Sequence, residues 1–173
     1  SMKYMIGTLI LLIPFPMLFA TLLNSKLMKG AGFFKSVYFL PALTSVVVAG
    51  TIFRLMFGEM DTALANQIIG ILGHSPIKWL KGEWTGYAVL LIVACWRWTG
   101  VNILYFLAGL QSIDTELYEA ASIDGANKWQ QFLKISVPLL KPTTVYVLTI
   151  SIYAGLAMFL ESFMLWKGNN SPQ

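Results

Sequence analysis

A chain of 173 residues that is 57% hydrophobic and 12% charged, with a mean hydropathy of +0.67, does not have the composition of a water-dissolved domain, in which about 25% of residues carry charge. Its net charge of +4 is the balance of 12 Lys and Arg against 8 Asp and Glu; the basic residues are scattered, the ten lysines over connecting segments, and form no stripe, which excludes a nucleic-acid surface. Cys95, the only cysteine, lies inside an apolar run; this excludes a disulfide framework and a zinc cluster, and it reads as a small buried hydrophobe.

Four stretches of about 20 residues or more can each cross roughly 30 Å of hydrocarbon as a helix. The first, Tyr4 to Leu23, follows Lys3 and so resembles a signal sequence at its start, but no small-residue cleavage site closes it and further spans follow. Pro14 and Pro16 should bend it. After a connection over Asn24 to Ser36, the second span is expected over Val37 to Phe57, with Pro41 bending it near its start. Gly58 to Thr85 is too polar to span. Its pattern of Asn66, Gln67, Ile68, Ile69, Ile71 and Leu72, followed by Trp79 and Trp84, predicts short helices lying at the outer interface. The third span is Gly86 to Leu110, and after a long loop the fourth is Thr143 to Trp166.

The expected fold class is therefore all-α: a polytopic helical membrane protein, one domain over residues 1–173, with about four transmembrane helices plus short helices at the interface and in the last long loop. Lys26, Lys29, Lys35, Lys128, Lys134 and Lys141 in the first and third loops outnumber Lys3, Lys78, Lys81 and Lys167 on the other side. That asymmetry places the first and third loops in the cytoplasm. The chain opens at Ser1 and stops at Gln173 directly after a span, so it reads as a piece of a longer polypeptide.

The loop over residues 111–138 is longer than a turn requires and has helical order of its own. Asp114 is placed to cap a helix running to about Asp124, with Glu116 in its first turn favoured by the helix dipole. Gly125 permits a sharp change of direction, and a second amphipathic helix is expected from Ala126 to Ser136, closed by Pro138. Ala120, Ala121, Gly125 and Ala126 make a small-residue knuckle that another surface can approach closely, and Trp129, Phe132, Leu133 and Ile135 make an apolar flank. Such a shape suits a ball seated in the groove of a cytoplasmic partner. It equally suits a helix resting on the bilayer with no partner.

Glu119-Ala120-Ala121, three residues, Gly125, nine residues, Ile135, one residue and Val137-Pro138 resembles the EAA loop of binding-protein-dependent ABC importer permeases. That family's pattern is E-A-A, three residues, G, nine residues, I, one residue and L-P, so Val137 stands where the Leu is expected. Gly32-Phe33-Phe34-Lys35, Phe39-Leu40-Pro41 and Ala108-Gly109-Leu110-Gln111-Ser112-Ile113 are similar to the carbohydrate branch, of maltose and arabinose type. Lys167-Gly168-Asn169-Asn170-Ser171-Pro172 departs from the T-x-G-G-P usual in that branch.

The resemblance implies a coupling helix in which Glu119 fixes the loop to its own permease and Ala120, Ala121, Asp124, Gly125 and Ala126 face an ATPase, with Ile135 and Pro138 completing the motif. It also implies a second permease subunit, two ATPase subunits that hold ATP and Mg, an extracytoplasmic solute-binding protein, and a bacterial or archaeal cytoplasmic membrane. The solute would be a small saccharide or short oligosaccharide, carried by alternating access.

Polar groups within spans are costly, which marks Arg97, Asn102 and Glu161 as candidates for function or for ion pairing inside the bundle. A sugar site needs flat aromatic faces and hydrogen-bonding groups; Trp98, Asn102, Tyr153 and Glu161 are the leading candidates to line one. An ordinary helix interface uses the same residue types. His74 has no second imidazole beside it and reads as a solvated loop residue. No G-x-x-x-x-G-K-[ST] loop occurs, so ATP must be handled on another polypeptide. Three other readings remain: a permease of the same superfamily for an amino acid, osmolyte or metal complex; a membrane scaffold; and an integral-membrane enzyme. The last lacks paired carboxylates, a metal cluster and a nucleophile with an adjacent base.

Overall fold

The computed structural model describes residues 2–24, 31–156 and 163–165, and among them every regular element is helical. The first span is two helices end to end, α1 (Met2–Leu12) and α2 (Pro14–Leu23), which together make one apolar rod of 22 residues. The break comes where the prolines require it. Pro14 occupies the first helical position of α2, where an absent N–H costs little, and Ile13 joins the two helices with φ −105°.

The second span is not the single helix expected over Val37 to Phe57. α3 (Ala31–Leu43) begins earlier, taking in Lys35 and Ser36, and meets α4 (Val46–Met56) at an angle of 94°. Pro41 stays inside α3; the turn falls after it, where the Thr44 N–H bonds back to the Pro41 carbonyl and Ser45 is extended at ψ 140°. Within α3, the backbone at Tyr38 lies so close to Gly100 that a Cβ there would overlap the Tyr38 carbonyl, so the two backbones touch directly.

The segment after α4 holds one short helix, α5 (Leu64–Ile71), organised by Asn66, whose side chain is buried. Its amide donates to the carbonyls of Met60 (3.2 Å), Ile77 (3.2 Å) and Gly58 (3.4 Å). Its oxygen accepts from the Ile77 N–H (3.0 Å) and Trp79 Nε1 (2.9 Å). Trp79 lies edge-on to Phe57, Phe57 stacks on Phe53 and Phe53 leans on Trp96, so an aromatic ladder carries the loop onto the bundle. The remainder of α5 is apolar and uncovered, with Ile68 61% and Ile71 85% exposed, as an interfacial helix requires.

α6 (Glu83–Gln111) is the mast of the structure, 29 residues or about 44 Å at 1.5 Å per residue. It contains the expected third span and passes through two apolar cores. One gathers Tyr4, Phe53, Leu80 and Leu165 around Val89, Leu90, Val93 and Ala94; the other gathers Met17, Ala20, Leu23, Phe132, Leu140 and Val147 around Ile103, Phe106, Leu107 and Leu110.

Beyond α6 come α7 (Thr115–Ile123), α8 (Lys128–Gln131), a π-helical turn (Phe132–Ser136), α9 (Val137–Leu139) and α10 (Lys141–Leu156). The fourth span is expected over Thr143 to Trp166, and α10 accounts for its first part; residues 157–162 and Trp166 lie outside the described residues. Residues 128–139 meet α10 at 66°. Among the described residues, two helices are long and apolar enough to cross a bilayer, or up to four if each bent pair counts as one span.

Candidate functional site

The loop 111–138 folds as a helical hairpin standing at one end of the bundle. Asp114 caps α7 by accepting the Glu116 N–H at 3.0 Å, and the helix ends at Asp124, as its residue types predict. Gly125 follows with φ +81°; the Ala126 N–H donates to the Ala121 carbonyl (2.9 Å) and the Gly125 N–H to the Ser122 carbonyl (3.1 Å). This pair of bonds is the Schellman termination, which needs a left-handed residue at the position Gly125 fills.

The second arm differs from the expected helix over Ala126 to Ser136. It starts at Lys128, because Asn127 and Gln130 form a reciprocal capping box with two bonds of 2.9 Å. It then runs through Pro138 instead of stopping before it. Pro138 cannot donate to the carbonyl of Lys134 and its ring crowds that carbonyl. The chain accommodates it by widening into a π turn, in which the Val137 N–H reaches back to the Phe132 carbonyl.

α7 buries no residue. Glu119, Ala120, Asp124 and Gly125 are exposed, and Ala121 and Ala126 are half-buried at the inside of the turn. Nothing approaches within 4 Å of the place a Gly125 side chain would occupy, and Ile123 beside it is 86% exposed. The knuckle is thus an open convex surface of small groups. Ile135 is half-buried and Pro138 is exposed. The apolar flank divides: Phe132 turns into the bundle core, whereas Trp129, stacked on it at 5.4 Å, and Leu133 stay exposed.

Sequence reasoning passed over the residues that hold the hairpin shut. Gln131 is 3% exposed, and its amide donates to Ser122 Oγ at 2.8 Å, with the Ala126 and Tyr118 carbonyls at 3.3 and 3.4 Å. Its oxygen accepts from Lys128 Nζ at 3.1 Å. Farther from the turn, Tyr118 Oη and Ser136 Oγ are 2.8 Å apart. Gln131 stands beside Gln130 in a mixed polar and apolar stretch, and nothing local distinguishes the buried glutamine from the solvated one.

Three of the four cavity candidates lie among the described residues. Asn102 is 6% exposed and its amide donates to the Leu12 carbonyl at 2.9 Å. In an α-helix that carbonyl would accept from the N–H of residue 16, which is proline and has none. Asn102 therefore satisfies the backbone group that the kink sets free. Trp98 is half-buried on α6, with the Arg97 guanidinium over its ring at 5.3 Å. Tyr153 is 75% exposed on α10, on the open side that also carries Tyr146. Glu161 lies outside the described residues.

Residues 4–172 match the family described as the binding-protein-dependent transport system inner membrane component. The arabinooligosaccharides transport system permease protein AraP of Bacillus subtilis (strain 168) is 59% identical over 172 residues, covering 99% of this chain and 55% of that protein. The lactose transport system permease protein LacF of Rhizobium radiobacter is 34% identical over 164 residues, covering 94% of this chain and 54% of that protein. The chain thus spans about half the length of the curated relatives it matches. Among solved structures, a bacterial ABC transporter involved in the import of the acidic polysaccharide alginate has a chain of the same fold, with TM-score 0.81, 24% identity, and 94% of this chain and 58% of that chain covered. The chain therefore belongs to the family of binding-protein-dependent transport system inner membrane components.

Proposed function

We propose that the chain is the membrane core of the permease subunit of an ATP-driven importer, and that it carries a short oligosaccharide across a bacterial or archaeal cytoplasmic membrane by alternating access. The observation that carries this is the exposed hairpin at Gly125, with its small-residue surface, in a chain 59% identical to an arabinooligosaccharide permease protein. On this reading Ala120, Ala121, Asp124, Gly125 and Ala126 seat in a cleft of an ATPase subunit, and Glu119 steadies the hairpin against its own permease. The chain itself catalyses nothing; ATP and Mg belong to two ATPase partners, and a solute-binding protein delivers the sugar from outside. One solved relative of the same fold is a transporter in complex with an alginate pentasaccharide-bound periplasmic protein, which supports a partner of that kind (TM-score 0.82, 24% identity).

A second permease subunit covers the open side of α10. Tyr153 and Tyr146 then line the path between the two subunits, with Trp98 and Glu161 as further candidate contacts and Asn102 holding the kinked first span beside them. ATP can drive the cycle only by favouring one of the inward and outward arrangements over the other.

The test is a disulfide between Ala121→Cys, in a Cys95→Ala background of the full-length permease, and a single cysteine in the ATPase cleft. Efficient crosslinking that changes with nucleotide supports the coupling role; its absence in an assembled complex favours the scaffold reading. Another relative, the osmoprotective compounds uptake permease protein GgtC of Synechocystis (strain PCC 6803), is 31% identical over 144 residues, which keeps an osmolyte as the second reading. Competition of labelled arabino-oligosaccharide uptake by unlabelled sugars and by compatible solutes separates the two.

A further inference from the structure

We infer that Gln131 is a positioning residue that locks the two arms of the hairpin into one lever, so that force on α7 reaches the bundle. The inference rests on the coupling role proposed above. With no buried residue, α7 has no apolar anchorage of its own. The second arm has one: Phe132 and Leu140 lie in the core with Met17, Leu23, Phe106 and Leu110. A displacement of α7 therefore reaches the spans by two routes, the short link to α6 in which Ile113 packs against that core, and whatever ties the first arm to the anchored second.

Two polar ties do this. Gln131 reaches across the turn to Ser122 Oγ at 2.8 Å, and Ser122 Oγ in turn donates to the Tyr118 carbonyl at 2.7 Å. The Tyr118–Ser136 hydroxyl pair closes the far end at 2.8 Å. Gln131 fits the role because its amide is buried with its donors directed at three acceptors of the first arm and the turn, and Lys128 holds its oxygen. Glycine at 125 makes the turn possible but leaves it pliable; the glutamine bridges the two sides of that hinge.

The experiment uses the full-length permease assembled with its ATPases and binding protein in proteoliposomes, comparing Gln131→Leu, Ser122→Ala and the double variant. The readouts are solute carried per ATP hydrolysed and the Ala121→Cys crosslink to the ATPase. Each single variant should lower the transport-to-hydrolysis ratio three- to tenfold, about the shift in an equilibrium on losing one buried hydrogen bond. Hydrolysis and crosslinking should persist, and the double variant should be no worse than the poorer single. Should Gln131→Leu fail to assemble, Ser122→Ala, at an exposed position, carries the test alone. An unchanged ratio with the crosslink intact overturns the lever and leaves the coupling role standing. Absence of the crosslink in the unmutated assembly overturns both.

Discussion

Replacing Asn102 with alanine isolates the buried hydrogen bond that ties the middle of α6 to the first span. Leu12 and Asn102 are 4% and 6% exposed, and their carbonyl and amide meet at 2.9 Å. Removing the amide strands a carbonyl that Pro16 cannot serve and water does not reach, at a cost of about 1–3 kcal/mol, with some lost packing in addition. Pro16→Ala supplies an N–H at the right place in the ladder, so in that background the carbonyl has a partner whether or not Asn102 is present. The two substitutions should therefore couple: Asn102→Ala should cost about 1–2 kcal/mol less in Pro16→Ala than in the parent. Reversible unfolding by SDS in mixed micelles, followed by circular dichroism, reads the four corners of the cycle. Equal losses in both backgrounds would refute the carbonyl assignment. Unchanged stability with a raised KM for uptake would instead return Asn102 to the sugar.

Gly100→Ala should be far more damaging than a methyl group normally is, at about 3 kcal/mol or more, because the new atom overlaps the Tyr38 carbonyl and α3 must move away; near-parental thermal stability would contradict the close approach. Gly125→Ala and Gly125→Asp both face φ +81° in open space, so each should cost on the order of 1–2 kcal/mol of stability. Uptake separates the docking role from the strain: the aspartate should abolish it with membrane insertion intact, and parental uptake in that variant would rule out close docking. Asn66→Ala removes the hub on which Gly58, Met60, Ile77 and Trp79 converge. Hydrogen exchange at Ile77 and across residues 58–80 should then rise on the order of a hundredfold while the middle of α6 stays protected, and protection unchanged in the loop would show that Asn66 does not organise it.

How well each element could be read from the residues depends on how local its cause is. Asp114, Glu116, Asp124 and Gly125 announced α7 and its stop, since a cap, a first-turn carboxylate and a left-handed glycine act within a few residues of themselves. Pro14 broke the first span where expected for the same reason. Pro41 announced a bend in the second span, but neither its 94° angle nor its place after Leu43 was legible, and the close approach of Gly100 to Tyr38, some 60 residues away in sequence, has no local signal at all. Pro138 misled by the reverse route: a proline usually closes a helix, and here a π turn absorbs it while Phe132 and Leu140, on either side, are held in the core.

The same distinction separates the two kinds of buried polar group in this molecule. Asn102 reads in the sequence as a polar residue within a span, which invites a ligand as explanation, whereas Gln131 and Asn66, each beside another amide residue, carry no such signal. In each case the side chain bonds to backbone at a break in regular structure: Asn102 to the Leu12 carbonyl that Pro16 cannot serve, Gln131 to the Ala126 carbonyl at the glycine turn as well as to Ser122 Oγ, and Asn66 to the Met60 and Ile77 carbonyls of an irregular loop. Inside a bilayer no water serves such groups, so a break in a spanning helix leaves a carbonyl in need of another donor. A buried amide beside a proline or a glycine turn is thus first a repair to the backbone. Tyr153, 75% exposed on α10, remains the proposed contact for the solute.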